Sequence, residues 1–164
     1  MTLRPLLSKD APFMLEWMHD ESVVENLQAN FAAKTLSDCE AFIRSCADTS
    51  ENLHMAIVDQ NDEYMGTVSL KHIRKDRKDG EFAITIRACA MGKGISAFGM
   101  REIIRIGLEE VGLDTVYWCV SPDNKRAVRF YEKNGYPRVP VSSLDPMGYT
   151  EEQKQYYIWY AVTK

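Results

Sequence analysis

The sequence predicts an α/β (α+β) fold, with a mixed central sheet of about six to seven strands and helices on both faces. Two patterns indicate this fold: short strands joined by turns occupy residues 54–87, and strands alternate with helices between residues 82 and 136. The length is a third observation, because 164 residues with 45% hydrophobic side chains can form a core without disulfides or a structural metal. We therefore expect one domain that spans residues 1–164.

The N-terminal third is predicted to hold a short strand and two helices. Residues 2–6 form the strand, and the first helix follows with Ser8 or Asp10 as its cap. Apolar side chains recur at helical spacing in this helix, which indicates that it packs against the core. A second helix is expected to begin near Ser37, where Ser37 and Glu40 fit a capping box.

A three-stranded antiparallel meander is predicted next. Strands 54–59 and 64–70 flank a polar segment and are typical of a hairpin. The charged stretch 71–78 is expected to be a solvated loop. Asp79-Gly80 is a strong turn signal, after which strand 82–87 completes the meander.

The C-terminal half alternates strands with helices. An amphipathic helix is predicted over 95–110, with Gly112 as its stop. A shorter helix begins at Asn124 and ends at Asn134-Gly135. The remaining predicted strands are 115–120, 136–141 and 156–162.

The charge balance argues against general nucleic-acid binding. Twenty Lys and Arg residues against 24 Asp and Glu residues give a formal net charge of −4 and a pI near 5.4. No apolar run approaches the roughly 18 residues of a membrane span, and the N terminus lacks the long apolar segment of a signal peptide. We therefore expect a cytoplasmic protein with no membrane partner.

The cysteines and histidines show no metal-binding pattern. The four cysteines form no CxxC pair, and the three histidines are scattered between them. No metal site is expected, and the thiols are predicted to be reduced and mostly buried. These residues are Cys39, Cys46, Cys89 and Cys119, and His19, His54 and His72.

The turn that follows strand 82–87 has the features of an anion-binding site. Gly92 and Gly94 allow the backbone to bend and to approach a ligand closely, and a long helix follows at once. Free N–H groups from Gly92 to Ser96 point outward at the positive end of the helix dipole, where a phosphate or pyrophosphate fits. Neither the P-loop pattern nor the dinucleotide-binding GxGxxG pattern is present.

Two motifs resemble those of the Gcn5-related N-acetyltransferase (GNAT) superfamily. The segment from Met91 to Ser96 occupies the position of the family's Q/R-x-x-G-x-G/A loop, with Gly94 as its first required glycine and with Met91 and Ser96 as departures. The segment 124–136, N-x-x-A-x-x-x-Y-E-K-N-G-Y, matches the family's other motif in full. The order of predicted elements also fits. The segments 3–6 and 17–20 resemble the branch of ribosomal-protein and sugar-nucleotide acetyltransferases.

This resemblance implies that acetyl-CoA is the co-substrate and that it lies where strands four and five, 82–87 and 115–120, splay apart. Backbone groups of Thr85, Ile86 and Arg87 would hold the acetyl group and the pantetheine arm, and the amide of Ile86 would stabilise the oxyanion. Asn124 would contact the pantetheine arm, cap its helix, or do both. The implied pyrophosphate-binding residues are Met91, Gly92, Lys93, Gly94, Ile95 and Ser96.

Two side chains are candidates for proton transfer. Tyr131 is placed by the resemblance near the thioester sulfur, where it would protonate the departing thiolate; the alternative is a core aromatic residue. Glu81, at the start of the strand beside the co-substrate, would accept the proton of the amine; the alternative is a solvated charge. Cys89 raises a covalent route, but it has no histidine nearby in sequence, so direct attack is preferred.

The sequence therefore predicts an N-acetyltransferase that moves acetyl from acetyl-CoA to a primary amine by direct attack in a ternary complex. The acceptor is a protein N-terminus, an aminosugar nucleotide or a small amine. The alternative function is a non-catalytic acyl-CoA-binding sensor or interaction module. The stretch 142–150 has two interpretations, a pairing loop of a homodimer or a lid over the substrate.

Overall fold

The computed structural model describes residues 1–25, 27 and 29–164 and contains a six-stranded sheet. Its strand order follows the chain, and every neighbouring pair is antiparallel except β4 with β5, which is parallel. This confirms the predicted mixed sheet. The strands are β1 Thr2–Pro5, β2 Leu53–Val58, β3 Tyr64–Arg74, β4 Asp79–Ile86, β5 Thr115–Val120 and β6 Ile158–Thr163.

Helices cover both faces of the sheet, as predicted. They are α1 Ala11–Met18, α2 Glu21–Val24, α3 Leu36–Ser45, α4 Ile95–Arg105, α5 Lys125–Lys133 and α6 Glu151–Tyr156. A π-helical segment, Ile106–Val111, prolongs α4 and ends at Gly112, whose φ of 88° allows the predicted stop. None of the helices in the described ranges is long and apolar enough to cross a membrane.

The core lies in two layers because successive strand residues point to opposite faces. Ile57, Val68 and Val116 are fully buried beneath α4 and α5. Ala56 and Val58 face the other way and pack beneath α1 and α3. We call these the α4 face and the α1 face of the sheet.

Charged side chains extend the meander beyond the predicted strands. The stretch predicted as a solvated loop continues β3 to Arg74, and Asp79-Gly80 begins β4 instead of forming a turn. Arg74 donates to both carboxylate oxygens of Asp79 at 2.8 and 2.7 Å, and Lys71 pairs in register with Glu81. Charges of opposite sign across the two strands therefore stabilise the longer hairpin.

Two sequence predictions, a capping box and a strand, are wrong for local reasons. The capping box of α3 is formed by Thr35 and Asp38, each bonding the other's backbone amide, and not by Ser37 and Glu40. Residues 136–141 form no strand and only one isolated bridge, from Arg138 to Tyr160, because two prolines in this segment lack N–H donors.

The segment before β6 contains a helix that was not predicted. Thr150 and Gln153 form a capping box at the start of α6, so the strand predicted from residue 156 does not begin there. The strand begins at Ile158. The sheet thus has six strands, the lower of the two predicted numbers.

Candidate active site

A cleft opens where β4 and β5 separate. The two strands pair at only three positions, which end at Glu81 with Tyr117. Beyond this point β4 continues along β3 to Ile86, while β5 continues along β6 to Val120. The edge of β4 from residue 82 onward therefore faces the cleft instead of a neighbouring strand.

The register shows which backbone groups face this cleft. The amide of Arg87 donates to the carbonyl of Met65 at 2.9 Å, so it points towards β3. The carbonyl of Thr85 also points towards β3, since a Cβ added to Gly66 would lie 2.5 Å from it. Because alternate residues of a strand direct their N–H and C=O groups to opposite edges, Ile86 presents its backbone to the cleft.

A turn with unpaired amides lies at the mouth of the cleft. Gly92 and Gly94 adopt φ values of 76° and 77°, which favour glycine, and Gly94 is the N-cap of α4 without a side-chain capping bond. The backbone amides from Gly92 to Ala97 donate no hydrogen bond to any acceptor within the described ranges. Unpaired amides at the positive end of a helix dipole are groups that can bind a phosphate or diphosphate.

The side chains of this turn differ in their surroundings. Ile95 is buried and anchors the first turn of α4, whereas Lys93 is exposed. Met91 is contacted by Arg126 of α5, whose Nη1 lies 3.7 Å from the Met91 Sδ. Sequence reasoning missed Arg126, although a cation two residues after Asn124 is a visible signal.

Asn124 caps α5. Its side-chain Oδ1 accepts from the amide of Ala127 at 3.2 Å, so the structure shows the capping role proposed for it. The helix that it starts carries Tyr131 back towards β5.

Tyr131 lies on the β5 side of the cleft. Its ring packs against Trp118 at 5.5 Å and Tyr160 at 5.1 Å between centroids, and Trp118 in turn contacts Phe82 of β4. Burial raises the pKa of Tyr131, and its hydroxyl forms no hydrogen bond to a described residue. A protonated phenol with an unused donor can serve as a general acid.

Glu81 is buried at the last paired position of β4, on the α1 face. Its Oε2 has no hydrogen-bond partner among the described residues, and its side chain is 6% exposed. Burial raises the pKa of this carboxyl, while Lys71, with its Nζ 3.9 Å away, opposes the shift. Tyr149, from the stretch 142–150, interacts with the same carboxyl and with Cys119.

A cavity of about 340 Å³ lies on the α1 face between α1, α3 and strands β2 to β4. It adjoins the cleft because Ala83, Ile84 and Thr85 of β4 form part of its wall. It also contains His54, whose Nδ1 lies 2.6 Å from the Oγ of Ser69. Sequence reasoning set His54 aside as an isolated histidine; only the sheet brings it together with Thr85.

The Arg87 side chain holds the N-terminal helix α1 against the end of β4. It donates to Glu16 of α1 and to Glu63, each at 2.7 Å, and its guanidinium carbon lies 4.4 Å from the centroid of the Phe13 ring. These contacts fasten α1 to the end of β4. Cys89 is exposed in the 3₁₀ turn Ala88–Ala90 that follows.

Comparisons with known proteins agree with this geometry. A family model described as an acetyltransferase (GNAT) domain matches residues 1–137. Two relatives described as aminoglycoside N(6')-acetyltransferase type 1, from Klebsiella pneumoniae and Serratia marcescens, are each 23% identical over 150 residues, which cover 84% of this chain and 74% of the relative.

Solved structures show the same fold at low identity. The spermidine N-acetyltransferase from Vibrio cholerae in complex with CoA and spermine superposes with a TM-score of 0.80 at 18% identity, covering 99% of this chain and 94% of that chain. The spermidine/spermine N-acetyltransferase from Vibrio cholerae in complex with manganese ions gives a TM-score of 0.70 at 18% identity, with 99% of this chain and 91% of that chain covered.

Proposed function

The chain belongs to the acetyltransferase (GNAT) family, and from this premise we propose that it acetylates the primary amine of a small molecule by direct attack in a ternary complex. Acetyl-CoA is the co-substrate. The observation that carries the proposal is the row of unpaired amides from Gly92 to Ala97 at the mouth of the cleft between β4 and β5. This arrangement fits a diphosphate with an arm that runs into the cleft.

The start of α4 holds the diphosphate of the co-substrate. The amides of the turn donate to phosphate oxygens, and the dipole of α4 adds a partial positive charge. Met91 and Ser96 depart from the family pattern, but the contacts depend on backbone groups that any residue supplies. Arg126 lies against Met91 and contributes a full positive charge beside the same turn.

The two sides of the cleft stabilise the charge that develops on the reacting groups. The amide of Ile86 donates to the thioester oxygen as the amine nitrogen bonds to the carbonyl carbon. The carbon–sulfur bond then breaks, and Tyr131 donates its phenolic proton to the departing thiolate. Burial raises the pKa of Tyr131, so the phenol is still protonated when this step begins.

Glu81 accepts the proton that the amine loses. Burial raises the pKa of Glu81, and a carboxylate with a raised pKa is a stronger base. A lysine-like amine has a pKa of about 10.4, so a base near the attacking nitrogen assists the reaction at neutral pH. Glu81 lies two residues before Ala83, which lines the adjoining cavity.

Small molecules are the acceptor class that the comparisons favour. The similar proteins are named for aminoglycosides and spermidine, and not for the ribosomal proteins or sugar nucleotides of the branch that the N-terminal residues resemble. We therefore place a small amine before a protein N-terminus or an aminosugar nucleotide. A cavity between helices and sheet also suits a small ligand.

Release of free thiol from acetyl-CoA in the presence of a panel of amines tests this function. Turnover that requires an amine supports an acetyltransferase and removes the alternative of a non-catalytic sensor. Tight binding of acetyl-CoA without turnover of any amine would favour the sensor instead. Hydrolysis without amine serves as the background rate.

A further inference from the structure

We propose that the acceptor is a primary monoamine with an apolar, preferably aromatic, body, bound in the cavity between α1, α3 and the sheet. This inference rests on the proposed function, because it names the acceptor class for the same site. Its basis is the distribution of groups around the cavity: large apolar side chains line the side formed by the helices, and hydroxyl groups and an imidazole line the side formed by the sheet.

The helical side of the cavity is apolar. Met14, Trp17 and Met18 of α1 line it, together with Phe31 and Phe42. The one polar group of the Trp17 ring, its Nε1–H, donates to the hydroxyl of Tyr64 at 3.0 Å. The surface that these five side chains provide is therefore hydrocarbon, aromatic rings and thioethers, which favours an apolar ligand body. The other described residues that line this side are Ala29, Lys34, Asp38 and Cys39.

The sheet side offers neutral polar groups beside the apolar side chains of Ala83 and Ile84. Thr67 and Ser69 of β3 and Thr85 of β4 line it, next to His54 of β2. Ser69 interacts with Nδ1 of His54, while Nε2 forms no hydrogen bond to a described residue. Burial and nearby Lys71 hold the pKa of His54 below its usual value, so the ring is a neutral hydrogen-bonding group.

The two charged residues that line the cavity, Lys34 and Asp38, do not favour a polycation. Among the described lining residues, Asp38 is the one carboxylate, and its Oδ2 already accepts from the amide and hydroxyl of Thr35 at 2.9 and 3.0 Å. Lys34 lines the same rim and offsets its charge. A ligand with three or more ammonium groups would leave most of them unpaired in an apolar site, which is costly.

The position of the cavity orients the ligand. Thr85 lies beside Ile86, whose backbone faces the cleft, so an amine on the polar side is close to the site of acetyl transfer. The body then extends between the aromatic rings of the helical side. A volume of about 340 Å³ is at the small end of ligand pockets, which suits one ring on a short alkylamine.

The direct test compares kcat/KM for 2-phenylethylamine, spermidine and an aminoglycoside such as kanamycin under the same conditions. We expect 2-phenylethylamine to exceed both polycations by about tenfold or more, because they would bury unpaired charges. Equal or better use of spermidine or the aminoglycoside would overturn the inference.

Charge introduction at Phe42 gives a matched test. Phe42→Glu puts a carboxylate into the cavity and should lower kcat/KM for 2-phenylethylamine by about tenfold, with a smaller loss or a gain for spermidine. Leu36→Glu is the control, since Leu36 is 42% exposed on the same helix and does not line the cavity. Equal effects of the two variants would contradict the proposal. Phe31→Ala replaces Phe42→Glu if that variant does not fold, with a loss for 2-phenylethylamine of about fivefold expected.

Calorimetric titration of 2-phenylethylamine into the CoA-saturated protein separates this inference from the proposed function. Binding that the Phe42 variant weakens, without turnover of any amine, supports the cavity as a site for an apolar monoamine but overturns the proposed function, and with it the role of that amine as acceptor. Turnover of spermidine with no binding of 2-phenylethylamine supports the proposed function and overturns the inference that the acceptor is an apolar monoamine. Absence of both binding and turnover overturns both.

Discussion

At the scale of single residues, Tyr131 and Glu81 bring opposite proton-transfer properties to the two sides of one cleft. Glu81 is buried and Tyr131 is half-buried, and burial raises both pKa values. For a phenol this preserves the proton that it donates, whereas for a carboxylate it increases affinity for a proton. A raised pKa makes the carboxylate a stronger base but makes the phenol a weaker acid, so the proposed acid role of Tyr131 depends on its position beside the cleft.

Replacement of the Tyr131 hydroxyl tests the acid role. We expect Tyr131→Phe to lower kcat by about 100-fold while the KM for acetyl-CoA stays within about twofold, because only the leaving step needs this proton. The ring contacts with Trp118 and Tyr160 are retained. Steady-state kinetics with acetyl-CoA as the varied substrate provide both values. Loss of affinity equal to the loss of rate would assign Tyr131 to binding alone.

Replacement of Glu81 should change how stability depends on pH. A carboxyl whose pKa is raised by folding contributes stability that is fully present below its unfolded pKa and is lost as the pH rises through the folded pKa. Glu81→Gln has no such loss. The free energy of unfolding of the variant minus that of the wild type should therefore be larger at about pH 8 than at about pH 4. Urea denaturation at both pH values measures the difference. A variant that is less stable at pH 8 than at pH 4, relative to wild type, would show that ionised Glu81 is stabilised by its partners.

At the scale of elements, the turn before α4 determines whether the amides point outward. Gly94 has φ of 77° and open space around it, so Gly94→Ala should cost about 1 kcal/mol of stability through backbone strain alone. It should also weaken CoA binding by about tenfold, because relief of the strain reorients the amides. Thermal denaturation and calorimetry measure the two effects.

Gly112→Ala is the matched control for this element. Gly112 has φ of 88°, also has open space around it, and ends the π-helical segment that extends α4. We expect a similar loss in thermal denaturation with unchanged CoA affinity by calorimetry. If both variants weaken CoA binding equally, the effect is one of stability and not of the turn.

The elements also show what the sequence could and could not predict. Gly112 correctly marks a helix end because its positive φ is a local property, and the predicted strand 64–70 lies within β3. The direction of the Ile86 amide depends on the register with β3, which no local pattern encodes. His54 and Thr85 are 31 residues apart and meet in one cavity only through the order of β2, β3 and β4.

At the scale of the whole molecule, the sheet separates two tasks. The α4 face carries Tyr131 and the turn that we propose binds the diphosphate. The α1 face carries the cavity, with Glu81 nearby. The cleft between β4 and β5 lies beside the cavity, because residues 83–85 of β4 border both. In the proposed reaction, the thioester in the cleft and the amine in the cavity meet along this strand. The two interpretations of the stretch 142–150, pairing loop and lid, stay predictions; Tyr149 packs over β5 and β6 in the structure.

Calorimetry with coenzyme A and with pantetheine tests most directly whether the amides at the start of α4 bind a diphosphate. Pantetheine keeps the arm that enters the cleft but lacks the diphosphate and nucleotide. We expect coenzyme A to release measurable heat, to raise the melting temperature and to bind at least about 100-fold more tightly than pantetheine. Neither heat nor a melting shift with millimolar coenzyme A, or equal affinity for the two compounds, would contradict the assignment.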